Sequence, residues 1–364
     1  MSRAERLAAV VAERELDQLL VGDLVRPGDS DRSGMANLRY LTGFGGTSGL
    51  CLVGKGTALF FTDFRYAERA EHEVPGSFER VQAEPQLLPT VAERFAGRVG
   101  YDDANTSVRS LRRLEELAPD GTELVAAGGL VERLRRSKDA GELAAITEAQ
   151  RLTDEVYGSI VERGLVGRTE REVALAAERR MLELGAEGPS FPAIVAAGEN
   201  GALPHAEPGE REVGPSELVV IDMGAIVDGY CSDCTRTFAT GELETEARDV
   251  YELVLEAQAA GRAAVRAGAS CRELDGVARE LIAAAGHGDE FGHGLGHGVG
   301  IEVHEAPRLA KTSEDELVEG DVVTVEPGVY VPGRFGVRIE DMVSVEPGGC
   351  RTLSARPGEL QVVA

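Results

Sequence analysis

The chain has 364 residues, of which 43% are hydrophobic and 28% charged, and its formal net charge is -25 at pH 7. This composition is typical of a folded globular protein long enough for two domains, and it excludes disordered and fibrous proteins. The negative charge argues against nucleic acid or an anionic membrane as a partner, since both need a basic surface. The N-terminus lacks a signal-peptide pattern, no apolar run is long enough to span a membrane, and five cysteines form no disulfide framework. We therefore expect a cytoplasmic protein.

The first third of the chain predicts alternating helices and strands. LRRLEELA is typical of a helix, whereas GLCLVG and TALFFTDF are β-prone runs. The polar run RLRRSKDAGE then precedes a new helical pattern and marks a boundary. We predict an α/β (α+β) protein with a small N-terminal α/β domain at 1-132 and a second domain at 133-364.

Two stretches of the second domain give the same signals in the same order. Thr169 with Glu172 and Ser270 with Glu273 each predict the start of a helix that ends at a glycine, and corresponding positions lie 101 residues apart. The strands that follow, VVIDMG and VVTVEPG, each carry an acid two residues before a glycine. The pattern predicts a duplicated unit, although each signal alone is also common by chance.

A predicted hairpin brings two acids together. In ELVVIDMGAIVDGYCSDCTRTF, two β-prone runs flank Asp228 and Gly229, which favour a two-residue turn. Such a turn sets residue 222 opposite residue 235 and makes Asp233 the diagonal neighbour of Asp222. On a solvated face the two acids would be an ordinary charged surface. The apolar residues around them indicate a buried sheet instead, where unpaired carboxylates are costly.

Two more acids lie in DVVTVEPGVYVPGRFGVRIEDMVSV. Glu326 ends one apolar strand, and Glu340 lies in another with Arg338 on the same face. An ion pair between Arg338 and Glu340 would by itself explain the second strand. Together with Asp222 and Asp233, however, the acids supply four negative charges, which balance two divalent cations. An oxygen-rich set with imidazole suits Mn²⁺, Co²⁺ or Zn²⁺.

Three of the six histidines lie in FGHGLGHGVGIEVHEAP, among five glycines. Together with DMGAIVDGYCSDCTRT, VEPGVY and VRIED, this stretch resembles the pita-bread metallopeptidase family of Xaa-Pro peptidases, which includes aminopeptidase P and prolidase. LRYLTGFGGTSGLCLVG and FFTDFRY are similar to the family's N-terminal domain, so the resemblance covers nearly the whole chain. It implies a creatinase-like N-terminal domain followed by a duplicated pita-bread catalytic domain.

By motif position, the resemblance implies a set of five metal ligands in which Asp233 and Glu340 bridge two ions. The implied ligands are Asp222, Asp233, His297, Glu326 and Glu340. The implied substrate-side residues are His205, His293 and His304, with Glu326 as the proton shuttle and Arg338 orienting the ligands. No ligand is missing, which argues against family members that have lost the metals.

The resemblance implies a metalloexopeptidase with two divalent ions, Mn²⁺ being expected and Co²⁺ or Zn²⁺ possible alternatives. It would hydrolyse the bond between an N-terminal residue and proline, acting as an aminopeptidase or a dipeptidase, and the motifs do not separate these two. A homodimer is expected, in which the TDFRY segment of one subunit approaches the active site of the other. Two other interpretations are a methionine aminopeptidase-like enzyme, which normally lacks such an N-terminal domain, and a metal-free binding module on the same fold.

Overall fold

The computed structural model describes residues 1-25, 35-84 and 86-364. They form two compact units, Met1–Arg135 and Arg136–Ala364. Among these residues, no helix combines the length and the apolar character needed to cross a membrane. Both units mix helices and strands, which confirms the predicted α/β class.

The described residues of the first unit form a six-stranded sheet flanked by short helices. The strands are β1 (Gln18–Val21), β2 (Leu50–Gly54), β3 (Thr57–Thr62), β4 (Glu79–Gln82), β5 (Arg98–Tyr101) and β6 (Glu123–Ala126). The helices of this part of the chain are α1 (Arg3–Glu13), α2 (Ala36–Thr42), α3 (Ala67–Glu73), α4 (Leu87–Ala92), α5 (Val108–Leu117) and α6 (Leu130–Arg136). The order across the sheet is β4-β3-β2-β1-β5-β6, and apolar side chains such as Leu20, Leu52 and Phe61 bury one of its faces.

The second unit combines four long helices with several small sheets. The helices are α7 (Ala140–Arg163), α8 (Glu170–Glu183), α9 (Thr245–Ala264) and α10 (Cys271–Ala284). The strands of its first half are β7 (Gly188–Pro189), β8 (Ile194–Ala197), β9 (Leu218–Met223), β10 (Ala225–Val227), β11 (Tyr230–Cys231) and β12 (Cys234–Ala239). The strands of its second half are β13 (Gly296–Gly298), β14 (Glu305–Leu309), β15 (Val322–Val325), β16 (Gly328–Val331), β17 (Phe335–Arg338), β18 (Asp341–Glu346) and β19 (Gly349–Thr352).

The strands of the second unit form four sheets. One has five strands in the order β14-β13-β15-β18-β19, two have three strands in the orders β12-β9-β8 and β11-β10-β7, and β16 pairs with β17 alone. Helices α7 and α8 share a core with the sheet β12-β9-β8, whereas α9 and α10 share a core with the five-stranded sheet. Each half of the unit therefore packs a pair of helices against a sheet.

The two predicted helix starts occur at the expected residues. Thr169 caps α8 with a complete capping box, in which its side chain and that of Glu172 each accept from the other's backbone N–H. Ser270 caps α10 less fully, because its hydroxyl accepts from the N–H of Glu273 at 3.4 Å and no reciprocal bond is present. A glycine with positive φ follows each helix, Gly185 after α8 and Gly286 after α10.

The hairpin predicted around Asp228 and Gly229 is present with the predicted register. Both residues have positive φ, 48° and 79°, as a type I′ turn requires. Strands β9 and β12 pair so that Asp222 lies opposite Thr235. This register decides which side chains face the interior of the unit.

Alternation along β9 and β12 sorts their side chains onto two faces. Val219, Ile221 and Met223 pack in the core that also contains side chains of α7 and α8. Because successive residues of a strand point to opposite faces, Asp222 lies on the face turned away from these helices. Thr235, its cross-strand neighbour, lies on that same face. The sheet thus presents polar groups on the side opposite its helices.

Candidate active site

A cavity of about 500 Å³ lies in the second unit where the polar faces of its strands meet. Its lining includes every residue that the sequence singled out as a site residue except Glu340. The residues that line it are Phe191, Ile194, Pro204, His205, Asp222, Asp233, His293, Gly294, Gly296, His297, His304, Arg308, Ala310, Glu326 and Arg338. Glu340 is only 1% exposed and lies directly behind this surface.

Three of the predicted ligands converge most closely. Asp233, His297 and Glu340 each offer one ligand atom, and these atoms all lie within 4.8 Å of one another. The Nε2 atom of His297 lies 3.6 Å from Oδ2 of Asp233 and 3.2 Å from Oε1 of Glu326. Asp233 comes from the step between β11 and β12, His297 from β13, and Glu340 from the step between β17 and β18. Residues more than 100 positions apart in the chain thereby share one small volume.

The buried acids are incompletely satisfied by the protein itself. Oδ1 of Asp222 and Oε1 of Glu340 are buried, and neither atom accepts a hydrogen bond from any described residue. Burial raises the pKa of Asp233 and of Glu340 well above that of an ordinary carboxyl, and neighbouring carboxylates add to the rise. Orphaned oxygens of this kind are costly unless something positive compensates them. These residues therefore fit divalent cations.

His297 is oriented as a metal-ligating imidazole would be. Its Nδ1 lies 3.0 Å from the carbonyl oxygen of Gly298, so Nδ1 carries a proton and Nε2 faces Glu326 and Asp233. Burial disfavours its charged form, but the hydrogen bond and charge of Glu326 outweigh burial and raise the pKa of His297. Burial likewise opposes ionisation of Glu326, but His297 holds the pKa of that carboxyl at about 2. The nitrogen thus faces a strongly negative environment in which a cation can replace its proton.

Arg338 connects several of the acids from behind the cavity. Its Nη2 donates to Oδ2 of Asp222 at 2.7 Å, and its Nε donates to the hydroxyl of Thr235 at 2.9 Å. Thr235 in turn donates to Oε2 of Glu340 at 2.8 Å. The arginine therefore pairs with Asp222 and reaches Glu340 only through Thr235.

His293 and His304 differ in how many of their ring nitrogens form hydrogen bonds. His293 has Nδ1 at 2.8 Å from the carbonyl of Gly294 and Nε2 at 2.9 Å from the hydroxyl of Tyr330, so both nitrogens have partners. His304 is exposed and stacks against His297 with 4.2 Å between ring centroids. Burial, followed by the nearby charge of His297, lowers the pKa of His304. His304 is therefore neutral near pH 7.

His205 lies on the segment between a 3₁₀ turn at Gly198–Ala202 and β9, and its side chain is exposed. Glu170, which is fully buried, fixes both ends of this segment. Its carboxylate accepts from the N–H groups of Ala197 and Gly209 and from the side chain of Asn200. The segment is thus anchored on either side of His205.

Four polar residues of the site escaped sequence reasoning. Thr235 and Tyr330 lie in the motifs quoted above, but the sequence does not indicate which groups a single hydroxyl in a strand contacts. Thr324 donates from its hydroxyl to Glu326 at 3.2 Å and accepts from the N–H of His297 at 3.0 Å. Arg308 lines the cavity directly. It lies opposite His297 in the pairing of β13 with β14, a relation that only the register reveals.

Behind the acids lies a second buried arginine. Arg236 is 3% exposed, forms an ion pair of 2.7 Å with Asp341, and donates to the backbone carbonyl of Glu340. It also donates to the carbonyl oxygens of Arg356 and Pro357, in the last part of the chain. Arg236 therefore links the backbone at Glu340 to the C-terminal segment.

Comparison with protein families gives two matches that together span most of the chain. Residues 144-347 match the model described as metallopeptidase family M24. Residues 3-137 match the creatinase/prolidase N-terminal domain. The second match argues against a methionine aminopeptidase-like enzyme, because such enzymes normally lack this N-terminal domain.

Individual relatives are similar over nearly their full length. An Xaa-Pro dipeptidase of Pyrococcus furiosus is 32% identical, over 98% of this chain and 99% of its own. The solved structure of an Xaa-Pro dipeptidase from Bacillus anthracis has a TM-score of 0.92 and 36% identity, with 99% of both chains covered. That of an X-Pro aminopeptidase from Thermotoga maritima has a TM-score of 0.89 and 33% identity, with 100% of both chains covered.

Proposed function

Because the chain belongs to metallopeptidase family M24, we propose that it hydrolyses Xaa-Pro dipeptides into the N-terminal amino acid and proline. The observation that carries this proposal is the polarity of the active-site cavity. Its buried base holds the carboxylates of Asp222 and Asp233, whereas the guanidinium of Arg308 lies at an exposed position of its lining. A dipeptide matches this arrangement, because its free amine could bind the cations that these acids would hold and its carboxylate could bind the guanidinium.

The metal-ligand role is assigned to five residues that surround the base of the cavity. They are Asp222, Asp233, His297, Glu326 and Glu340, which together would hold two divalent cations. The orphaned carboxylate oxygens and the close spacing of three ligand atoms support this assignment. Oxygen ligands with one imidazole and no thiolate favour Mn²⁺, with Co²⁺ and Zn²⁺ as alternatives. Bound cations would supply positive charge that polarises the scissile carbonyl.

Glu326 is assigned to proton transfer. Its carboxylate lines the cavity and is held from one side by Thr324 and His297. An ionised carboxylate at this position can accept a proton from the attacking water and return it to the proline nitrogen as that nitrogen leaves. Glu326 would thus transfer a proton from the attacking water to the leaving proline nitrogen.

Three histidines and Arg338 have supporting roles in the proposal. His205 and His304 are exposed on the cavity lining, so their ring N–H groups are available to the substrate carbonyl. His293 is engaged by Tyr330 on one side and its own backbone on the other. A neutral His293 whose Nδ1 donates to that backbone carbonyl accepts at Nε2, so it would donate to substrate only when it is protonated and Tyr330 has moved away. Arg338 orients Asp222 directly.

Arg308 is the feature that favours a dipeptide over a longer peptide. No described residue forms a hydrogen bond or an ion pair with its side chain. It lies opposite His297 across β13 and β14 and therefore on the same face of the sheet. A free guanidinium here can bind the carboxylate of the proline with two parallel hydrogen bonds. That carboxylate exists only when proline is the last residue.

Selectivity for proline is attributed to the apolar part of the lining. Phe191, Ile194 and Pro204 line the cavity together with the polar residues. A pyrrolidine ring gains apolar contact there that an alanine side chain does not supply. Proline also bends the chain and lacks an N–H, so a cavity fitted to it would accept ordinary peptides poorly.

The proposal is tested by comparing kcat/KM for Ala-Pro, Ala-Ala and acetyl-Ala-Pro. We expect Ala-Pro to exceed Ala-Ala by roughly 10- to 200-fold, which is the usual range for a pocket that selects by a few methylene groups. The acetylated peptide should be poorer still, because its acylated nitrogen could not bind the cations at the base of the cavity as a free amine could. Equal rates for the three substrates would overturn the assignment. Metal analysis of the purified protein separates it from a binding module without metals.

The assembly and location of the enzyme are also part of the proposal. A homodimer is supported by the TDFRY segment, in which Phe64 is 77% exposed and the turn is fixed by an ion pair between Asp63 and Arg65. Sedimentation at micromolar concentration should give twice the chain mass, and an active monomer would exclude the dimer.

A cytoplasmic location is supported by five cysteines that are all free.

A further inference from the structure

A buried ion pair fixes the residue that follows His304. The ammonium group of Lys138 donates to Oε1 of Glu305 at 2.8 Å, and only 1% and 8% of the two side chains are exposed. Opposite charges kept from water at this distance are screened little and attract each other more strongly than an exposed pair does. Glu305 is the first residue of β14 and comes directly after His304. The chain is thus held one residue away from a histidine of the active-site cavity.

The backbone around Lys138 is itself fixed by the turn that precedes β15. The N–H of Lys138 donates to the carbonyl of Gly320 at 2.9 Å. Two residues earlier, Arg136 pairs with Asp321 at 2.9 Å, and the side chain of Asp321 has no exposed surface. Lys138 therefore links the start of β14 to the turn before β15, and both strands belong to the five-stranded sheet.

The imidazole of His304 depends on its neighbours for its position. Among the described residues, none forms a hydrogen bond with this ring, which stacks against the ring of His297. A stacked ring can slide and turn, so the backbone on either side decides where its N–H groups point. On the N-terminal side, the carbonyl of Gly300 accepts from the N–H of Cys231 at 2.7 Å, four residues before His304. On the other side, Glu305 is held at only one residue's distance.

We propose that Lys138 is a positioning residue for the reaction, because it holds Glu305 and thereby sets where His304 meets the scissile carbonyl. This inference rests on the function proposed above, in which His304 donates to that carbonyl. Lys138 does not touch substrate, since it is buried and lies outside the lining of the active-site cavity. Misplacement of a reacting group by about 1 Å can cost about 100-fold in rate. Loss of the ion pair should therefore lower kcat and leave the metal content unchanged.

The experiment is a double-mutant cycle on kcat for Ala-Pro. It compares Lys138→Met, His304→Ala and the variant that combines them. If Lys138 acts through His304, Lys138→Met should lower kcat about 10- to 100-fold in the unaltered chain, but by a factor of about 1 where His304 is already absent. KM should stay close to that of the unaltered protein, because His304 contacts the carbonyl most strongly in the transition state.

Arg211→Met is the matched control for the loss of a positive charge. Arg211 forms a partly buried ion pair with Glu217 at 2.6 Å, away from His304 and outside the cavity lining. Any change in kcat that this variant causes should be equal with and without His304.

A second comparison separates position from stability. Lys138→Met leaves the carboxylate of Glu305 buried without its partner, so its melting temperature should fall. The combination of Lys138→Met with Glu305→Met buries neither charge and should recover most of that melting temperature. It should not recover kcat, because two apolar side chains pack together without fixing the direction of the chain.

Two kinetic results would overturn the inference. One is an equal loss of kcat on Lys138→Met with and without His304, and the other is recovery of kcat together with the melting temperature in the doubly apolar variant. A protein that hydrolyses no Ala-Pro would instead refute the proposed function.

A measurement that needs no turnover tests the position of His304 directly. The chain has six histidines, whose Cε1 carbons give separate signals in a ¹³C-labelled protein. The signal that disappears in His304→Ala should shift in Lys138→Met and keep its place in Arg211→Met. A signal unmoved by Lys138→Met would overturn the inference whatever the activity.

Discussion

Thr235 is the residue on which the arrangement of the buried acids depends most directly. It has no exposed surface, and its hydroxyl is at once the acceptor of Arg338 and the donor to Glu340. A hydroxyl can serve both because it carries one proton and two lone pairs. Without it, Arg338 would lose an acceptor, and the carboxylate of Glu340 would lose its one hydrogen-bond donor among the described residues.

We predict that Thr235→Val weakens metal binding about 10- to 100-fold, as loss of a group that orients a ligand typically does. Valine keeps the shape of the side chain and removes only the hydroxyl. Thr237→Val is the matched control, because Thr237 lies on the same face of β12 and bonds only to the backbone of Arg338. Both variants should lose about 1 to 3 kcal/mol of stability. Calorimetric titration with Mn²⁺ tests the difference, and equal affinities in the two variants would contradict it.

His297 and His304 form a second matched pair, since their rings stack yet face different groups. His297 points its Nε2 at the carboxylates, whereas His304 is exposed on the cavity lining. We predict that His297→Ala empties at least one metal position. His304→Ala should retain metal and lower kcat by about 10²- to 10³-fold, as loss of a hydrogen-bond donor to the reacting oxygen does. Elemental analysis beside kinetics distinguishes the two, and metal loss of equal extent in both would refute the assignment of roles.

At this scale the sequence revealed ionisable residues far better than neutral ones. Carboxylates in apolar strands are conspicuous because burying them needs a compensating charge, so Asp222 and Glu326 attract attention without any structure. A buried threonine or tyrosine does not, since its hydroxyl can be satisfied almost anywhere. Tyr330 and Thr235 gain their meaning from contacts across more than one strand. Such contacts depend on register and packing, which a single sequence does not display.

Among the secondary-structure elements, β13 shows why glycines surround a predicted ligand. A Cβ on Gly296 would lie 2.1 Å from the carbonyl oxygen of Thr324, and one on Gly298 would lie 2.3 Å from that of Ala306. The strands on both sides therefore approach β13 more closely than any side chain allows. His297 is held between them by backbone contact.

We predict that Gly296→Ala displaces β13 and lowers both stability and metal affinity, because the obstructing atoms belong to backbone and cannot move aside cheaply. Gly292→Ala is the control from the same segment, since a Cβ there would meet nothing within 4 Å. Thermal melting with and without Mn²⁺ measures both effects. Melting curves for Gly296→Ala that match those of Gly292→Ala would show that β13 tolerates the methyl group.

Element by element, the hairpin was the most predictable part of the second unit. Asp228 and Gly229 determine a turn, the turn determines the register, and the register puts Asp222 opposite Thr235. Local chemistry suffices for that chain of inference. The pairing of β13 with β14 could not be obtained in this way, because the register shifts between His297 and Gly298. The position of Arg308 beside the cavity depends on that shifted pairing.

At the scale of the whole molecule, the candidate ligands should couple metal content to the stability of the fold. All of them lie in the unit Arg136–Ala364, and Oδ1 of Asp222 and Oε1 of Glu340 are buried there without a hydrogen-bond partner among the described residues. We predict that chelation lowers the melting temperature and that Mn²⁺ restores it. A ligand that binds only the folded state contributes about 2.7 kcal/mol at one hundred times its dissociation constant. Calorimetry at several Mn²⁺ concentrations tests this, and a melting temperature independent of Mn²⁺ would contradict it.

Asp233→Asn supplies a further check on the same coupling. It removes a carboxyl whose pKa is raised by burial and by the neighbouring carboxylates, and it should stabilise the chelated protein at any pH at which that carboxyl would ionise, because the remaining acids then repel one another less. The same variant should gain less from Mn²⁺ than the unaltered protein does. A chelated variant less stable than the chelated parent would mean that repulsion among these acids is not the source of the coupling.

The contacts of Arg236 make the last residues of the chain part of the catalytic unit's interior. Arg356 and Pro357 supply carbonyl oxygens to its buried guanidinium, and further along, Gln361 and Val363 pair with Ala239 at the end of β12. Removal of this segment by a protease would remove carbonyl oxygens that solvate the buried guanidinium of Arg236 in place of water. The loss would be felt next at the peptide of Glu340, whose carbonyl oxygen Arg236 also binds. If Glu340 holds a metal ion as proposed, cleavage before Arg356 should therefore weaken metal binding.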